Sequence, residues 1–382
     1  MAEPTTGTAK DRFTALDTVA LVREIRALER PRVDKAFDLP NGGWSIVVRV
    51  PGEGRWELVL VPGRYAALAR EIEHSEELGP LAKELRRLLT GTKLVSASEP
   101  AGERYLEIEF LAGSSDPPLL LAVELFGSGN LLVARGGKIL AVQHTKTWAH
   151  RAVRVGALYA RPPSRSDPWK SSPTEIEAAL ASSRTDRATT LAARLALGGP
   201  VAEEVLARAG LAGSVSAPSE AGPAAAKLHE ALERILADIG EVPKGYLYVR
   251  GELPLDVEPF PAERFRSDPT VAERVFPAFS EAALAFFRSS TPSVPRPAEI
   301  RAASLAAELN RQRSQQAAAA AELGEEATRL SSDAETLLHR YPEAESALAA
   351  ALRENPDAGP TVEIAIGDRV ISVPAGSTVR EA

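Results

Sequence analysis

The chain has no cysteine, one methionine, five histidines and an aromatic fraction of only 5% in 382 residues. Without cysteine there can be no disulfide, thiolate metal site or cysteine nucleophile, and the chain suits a reducing, cytoplasmic interior. The histidines show no HxxxH or HxH spacing, so no metal site is expected. No apolar run approaches the roughly 18 residues of a membrane span. The polar stretch from Met1 to Lys10 does not read as a signal peptide. No cofactor and no membrane partner are therefore expected. Lysine is scarce, 9 against 36 arginines. Arginine suits phosphate forks, although codon composition in an alanine-rich chain explains the same bias.

The apolar fraction of 44% is enough for real cores. The length fits roughly two to three domains. A net charge of −7 argues against indiscriminate nucleic-acid binding and leaves only a local patch as a candidate. That patch is residues 138–170, where Lys138, Lys146, Arg151, Arg154, Arg161, Arg165 and Lys170 face one acid, Asp167. The segment carries +6 and leaves −13 for the rest of the chain. Trp148, Tyr159 and Trp169 lie among these cations, with His144 and His150 between them. Cations interleaved with planar rings match the phosphates and bases of a nucleic acid, with Lys146, Arg151 and Arg154 as backbone contacts. A solvated basic segment with core aromatics is the competing reading.

Periodicity divides the chain into three parts. Residues 1–11 read as disordered, and a helix opens at Thr14 and runs to about Leu28. Strands are expected at Arg32–Asp38, Trp44–Val50, Arg55–Pro62, Leu94–Ser98, Arg104–Leu111, Leu119–Leu125, Leu131–Arg135 and Ile139–Thr145. Residues 78–89 read as an amphipathic helix bearing Arg86 and Arg87. Gly127-Ser128-Gly129-Asn130 and Gly136-Gly137 mark tight hairpins. This first domain, 1–163, is a mostly antiparallel sheet with helices. A second, 174–291, starts with helices at 174–183 and 186–197. A glycine pair, Gly198-Gly199, and a proline then open another helix. That pattern reads as a helix-hairpin-helix, whose turn can offer N–H groups to a phosphate; any helical hairpin needs a similar turn. A small-residue linker spans 213–225, a helix 225–239, and strands Gly245–Arg250 and Leu253–Val257, followed by a phenylalanine-rich stretch read as core.

The third part, 298–382, opens with a long helix over Ala298–Tyr341. Leu309, Gln316, Leu323, Leu330 and Leu337 recur every seven residues, and Arg313, Ala320, Ala327, Ala334 and Tyr341 follow each by four. Such a coiled-coil seam needs a partner helix. Thr361–Ile366 and Arg369–Val373 read as a hairpin, and Thr378 with Glu381 as a capping box. A helix capped at the last residues cannot persist over so short a length. The expected reading is a chain truncated before a return helix, with another chain as the alternative partner. The fold class is thus α+β: an antiparallel β/α domain, a helix-hairpin-helix domain, then a coiled-coil helix with a terminal hairpin.

The ordered set of motifs resembles the NFACT family, the fibronectin-binding-protein-A-like proteins of ribosome-associated quality control. It comprises Phe13-Thr-Ala-Leu-Asp17, Arg64 after a glycine turn, Leu85-Arg86-Arg87 with Leu89 and Gly91, and Glu103-Arg104 leading a strand. Glu124-Leu125 with Gly129-Asn130, Gly156 with Tyr159 and Pro162-Pro163, and Gly198-Gly-Pro with Arg208-Ala209-Gly210 complete it. The resemblance implies a first domain built like formamidopyrimidine-type DNA glycosylases, a coiled-coil arm, and a later RNA-binding domain beyond this chain. It implies a non-enzymatic role: binding large ribosomal subunits obstructed by peptidyl-tRNA, recruiting tRNA and, in many members, supporting untemplated C-terminal tailing of the nascent chain. It also implies that Asp17, Arg64, Arg86, Arg87 and the Glu103-Arg104 pair contact tRNA. The family has Asp-Arg where this chain has Glu103-Arg104, which bears on tailing more than on tRNA binding. An arginine fork holds phosphate bidentately, and a nearby carboxylate can orient it or accept from a base or ribose. The plainer reading makes Asp17 a helix N-terminal charge and Glu103-Arg104 a strand-edge pair.

Two other functions compete. A glycosylase-like enzyme would need an N-terminal amine nucleophile, usually proline, but residue 2 is Ala and Pro4 lies behind Glu3. A coiled-coil scaffold would explain the seam but not residues 138–170.

Overall fold

The computed structural model describes residues 10–100, 103–113, 116–148, 151–163, 167–289, 316, 323–324, 326–354, 360–374 and 378–379. The chain forms two compact units, Met1–Val294 and Pro295–Ala382.

In the first unit, helix α1 (Ala15–Ala27) is followed by β1 (Arg32–Asp38), β2 (Trp44–Val50), β3 (Gly54–Val61) and β4 (Tyr65–Ala69). After α2 (Pro80–Leu89) come β5 (Lys93–Ser98), β6 (Tyr105–Leu111), β7 (Leu119–Glu124), β8 (Asn130–Arg135) and β9 (Lys138–Val142). These nine strands form one sheet in the order β4-β3-β2-β1-β5-β6-β7-β8-β9. Every pairing is antiparallel. The chain runs outward from β1 to β4, returns through α2, and continues from the other side of β1.

The apolar runs at 119–124 and 130–135 follow from burial on both faces. Leu121, Val123, Leu131 and Val133 face the main core. Ala122, Leu132 and Ala134 face a second cluster with Tyr105, Ile139 and Val153. The cluster lies beneath a two-stranded ribbon, β10 (Lys146–Trp148) and β11 (Arg151–Val153).

Helices α3 (Pro173–Ala181), α4 (Arg187–Ala193), α5 (Gly199–Ala209) and α6 (Ala221–Ile239) precede a small sheet. That sheet is β12 (Gly245–Arg250), β13 (Leu253–Glu258) and β14 (Val271–Phe276), with β12 central, and α7 (Phe279–Ser289) follows it. One hydrophobic core contains α1, the nine-stranded sheet, α3 to α7 and the small sheet. Rings tie its ends together: Phe13 lies 5.6 Å from Phe279 and 5.7 Å from Phe287, and Tyr65 stacks on Phe287 at 4.4 Å. Residues 1–163 and 174–291 thus share a core.

Local departures have local causes. Tyr65–Ala69 is an additional, fully buried strand beside β3, although its alanines favour helix by propensity. Helix α6 begins at Ala221, inside the expected linker. Val271–Phe276 is an exposed edge strand despite its charges, and Phe279–Ser289 is a helix. Lys10 is buried rather than part of a disordered tail; residues 1–9 lie outside the described residues.

In the second unit, residues 326–339 are helical and lead into α8 (Tyr341–Glu354). Leu337, Ala344 and Leu348 pack on a hairpin of β15 (Thr361–Ile366) and β16 (Arg369–Pro374). Val362, Ile364 and Ile366 alternate inward along β15. Of the expected seam, Leu323 and Leu330 are exposed. Leu309, Arg313 and Ala320 lie outside the described residues. Among the described residues no helix is long and apolar enough to cross a membrane.

Candidate nucleic-acid interface

The segment before α1 is held at both ends. The Lys10 Nζ lies 2.8 Å from Asp17, 3.4 Å from Asp256 and 3.7 Å from Glu258, and all four groups are buried. Asp17 also accepts from the Thr14 backbone N–H at 2.6 Å, and the Thr14 hydroxyl accepts from the Asp17 N–H, a reciprocal cap on α1. One residue earlier, the Phe13 N–H donates to the Arg64 carbonyl at 2.7 Å. Burial pushes the Asp17 carboxyl up, against the Lys10 charge that pulls it down. Asp17 thus fixes the course of residues 10–14 and has no surface to offer a ligand.

Residues 10–15 form one wall of a cavity of about 940 Å³. Glu103, Arg104 and Tyr105 contribute at the start of β6, Arg161-Pro162-Pro163 after β11, and Leu197 to Pro200 at the start of α5. Three guanidiniums therefore meet there: Arg12, Arg104 and Arg161. Phe126, Tyr105, Pro100 and Leu197 supply apolar wall.

The three arginines are held differently. Arg12 pairs with Asp11 at 2.6 Å. Arg161 forks onto Glu107 with contacts of 2.9 and 2.6 Å. Buried Glu107 also accepts from the Tyr159 hydroxyl at 2.8 Å and the Tyr105 hydroxyl at 3.3 Å. The tyrosine hydroxyls fix Glu107, and Glu107 holds one edge of the Arg161 guanidinium while the side chain stays 62% exposed. The Arg104 guanidinium makes no hydrogen bond or ion pair among the described residues. Burial, then the like charge of Arg12, pulls its pKa below the ordinary arginine value, against Glu103 and Asp11. A half-buried cation repelled by its neighbour is stabilised by an incoming anion.

The fourth wall is the start of α5. Gly198 caps this helix at φ 75°, a left-handed conformation open to glycine. The first-turn N–H groups of a helix lack intrahelical acceptors and carry the positive end of its dipole. Glu204 does not complement that dipole: it is buried in α5 and accepts from Arg208 and the backbone N–H groups of Glu263 and Arg264.

The cavity unites Glu103, Arg104, Gly198 and Gly199 of the expected contacts. The others lie elsewhere. Arg64 lines a neighbouring cavity. Arg86 donates to the Ala36 carbonyl and lies 4.6 Å from the Phe37 ring, pinning α2 to β1. Arg87 is exposed and paired with Glu84 at 2.7 Å. Lys146 donates to the Ser128 hydroxyl. Arg151 is buried, ion-paired with Glu124 at 2.7 Å and donating to the Ala160 carbonyl, so it ties β11 to the sheet and cannot reach a phosphate. Arg154 is exposed. The basic segment is therefore no continuous strip; His150 and Arg165 fall outside the described residues. Sequence reasoning missed Lys10, Arg12 and Glu107. Their signals were slight: Arg12 adjoins the Phe13–Asp17 motif, and Glu107 is an acid within an apolar strand.

Two solved structures have the same fold. The fibrinogen binding protein from Staphylococcus aureus is 18% identical, with 73% of this chain and 99% of that chain covered and a TM-score of 0.53. The N-terminal part of the fibronectin/fibrinogen-binding protein from Streptococcus suis is 14% identical, with 73% and 100% covered and a TM-score of 0.52. At these identities the likeness is one of fold. No curated protein matches this chain. Residues 14–355 match the family described as NFACT N-terminal and middle domains, and the chain belongs to that family.

Proposed function

We propose that this chain is a ribosome-associated quality-control factor that binds obstructed large ribosomal subunits carrying peptidyl-tRNA and recruits tRNA through the 940 Å³ cavity. The observation that carries the reading is Arg104: a half-buried guanidinium with no anionic partner in contact, facing Arg12, Arg161 and a helix N-terminus across one cavity. Arginine forks and free N–H groups hold phosphate oxygens, while aromatic and proline walls accept a base or ribose. The action proposed is binding. Peptide-bond formation in any tailing belongs to the ribosome. The expected partners are tRNA and the ribosomal RNA and proteins of the large subunit.

The test is binding of deacylated tRNA and duplex DNA across a salt series, wild type beside Arg104→Ala. The expected result is salt-sensitive tRNA binding that weakens in the variant and loses about one unit of salt slope. Duplex DNA bound equally well, or tRNA binding indifferent to Arg104, overturns the assignment and favours a DNA-binding or scaffold role.

A further inference from the structure

A second cavity, of about 670 Å³, lies where the β3–β4 turn meets the end of α7. Its volume falls within the roughly 300–1,000 Å³ of small-molecule sites. Arg64 enters from the turn and Arg288 from the last turn of α7. Neither guanidinium makes a hydrogen bond or ion pair among the described residues. Between them lies Tyr65, only 9% exposed, with its ring stacked on Phe287. Its hydroxyl has no hydrogen-bond partner among the described residues, and it is not among the chain's buried unsatisfied polar atoms, so it is open to a ligand in the cavity. Burial pushes this hydroxyl's pKa up, and the charges of Arg64 and Arg288 act against that. Arg64 lies 6.0 Å from the Tyr65 ring centroid and 5.9 Å from that of Phe287, contacts that use the ring faces and leave its N–H groups free. Two guanidiniums without ion pairs and one open hydroxyl on one cavity form a donor set for an oxyanion.

The rest of the lining narrows the ligand. Glu71 and Glu73 stand exposed in the same cavity and form no ion pair with either arginine. They accept from hydroxyl or amino groups and oppose a second or third phosphate. Leu39, Val61 and Ile72 provide an apolar wall.

We propose that the Arg64–Tyr65–Arg288 cavity binds the phosphate of a nucleoside monophosphate unit, with Glu71 and Glu73 receiving its sugar hydroxyls or base amino group. Arginine suits phosphate because its planar fork meets two oxygens at once. The Tyr65 hydroxyl supplies a further donor from the cavity floor. The site stands independently of the larger cavity. The unit is either a free nucleotide or the 5′ end of an RNA.

Titration calorimetry with AMP, ATP, adenosine and inorganic phosphate tests this, using wild type, Tyr65→Phe, Arg288→Gln and Arg104→Gln. AMP is expected to bind the wild type more tightly than ATP or adenosine. Its affinity should fall about tenfold in Arg288→Gln and severalfold in Tyr65→Phe, whereas Arg104→Gln removes only AMP held in the larger cavity and should leave the Arg288- and Tyr65-dependent binding in place. Tyr65→Phe keeps the stacked ring, and thermal melting should show it fully folded. Dinucleotides with and without a 5′ phosphate separate the sources. A phosphate-dependent gain over AMP assigns the site to RNA ends; no gain assigns it to free nucleotide. Adenosine binding as tightly as AMP, AMP binding lost only in Arg104→Gln, or no saturable binding of AMP or the phosphorylated dinucleotide at millimolar concentration each overturns the proposal.

Discussion

Gly63 and Gly129 meet backbone to backbone. A Cβ on Gly129 would lie 2.2 Å from the Pro62 carbonyl carbon, and one on Gly63 would lie 2.9 Å from the Gly129 nitrogen. The contact joins the turn before Arg64 to the turn between β7 and β8, and the Gly63 N–H donates to the Glu124 carbonyl at 2.9 Å. The Arg64 carbonyl in turn holds Phe13, and with it the segment that carries Arg12 to the large cavity. Gly129→Ala should therefore cost roughly 2–5 kcal/mol, from a left-handed alanine at φ 71° and a backbone clash. Gly127 has φ 57° but nothing within 4 Å of its Cβ position, so Gly127→Ala should cost only about 1 kcal/mol. Urea unfolding of both variants checks this; equal losses would mean that the close approach does not matter.

Lys10 and Asp17 make a sharper demand on stability. Their ion pair is buried together with Asp256 and Glu258, so removing the ammonium leaves three carboxylates facing one another. Arg264 contacts Asp256 and Glu258 but does not reach Asp17. Lys10→Met should destabilise the fold by about 3–5 kcal/mol. The double variant Lys10→Met, Asp17→Asn should recover part of that loss, because one uncompensated charge is gone. A double variant no more stable than the single one in urea would show that Asp17 is not the main partner.

How much of this was legible in sequence depended on how far each signal reached along the chain. Strand β15 reads directly, because Val362, Ile364 and Ile366 alternate into a core against one helix. Asn130 was legible as a turn residue, but its work is longer in range. Its side-chain oxygen accepts from the His144 N–H and its amide donates to the His144 carbonyl, so it stitches β8 to the chain beyond β9. The strand Tyr65–Ala69 was hidden because its burial comes from α7, more than two hundred residues later. The large cavity was hidden for the same reason. Glu103-Arg104 and Gly198-Gly199 were readable one by one, whereas their meeting with Arg12 and Arg161 follows from tertiary packing. Charge counting misled at Arg151, because composition does not reveal that Glu124 lies opposite.

Glu24 should give stability a pH dependence. Its carboxyl accepts from the Ser280 N–H and hydroxyl, and that hydroxyl accepts from the Leu68 N–H, linking α1, α7 and β4. Burial raises its pKa from 4.5 to about 7, with Glu281 adding to the rise and the Ser280 donors opposing it. Between those values the folded chain holds a proton that the unfolded chain has lost. This contribution to stability is complete below pH 4.5, falls by up to about 1.4 kcal/mol per pH unit as pH rises through the window, and levels off above about 7. Glu24→Gln cannot ionise, so its urea midpoint should vary less between pH 5 and 7.5 than that of the wild type. Parallel pH profiles for the two proteins would rule out Glu24 as the source.

Glu107 and Arg161 separate position from charge in the proposed tRNA site. Arg161 brings a positive charge to the cavity, and Glu107, with Tyr105 and Tyr159, decides where that charge sits. Arg161→Ala should weaken tRNA binding and reduce its salt slope by about one, since a phosphate contact is lost. Glu107→Gln keeps the cation but loosens its anchor, so affinity should fall about three- to tenfold with little change in slope. The difference matters because a merely structural role for Glu107 would lower melting temperature and tRNA binding together. Arg161→Lys tests the same point from the other side. An ammonium preserves the charge but cannot fork onto both Glu107 oxygens. Its salt slope should match wild type while its affinity follows Glu107→Gln. If Arg161→Lys instead binds as tightly as wild type, the fork onto Glu107 has no part in presenting this charge to RNA.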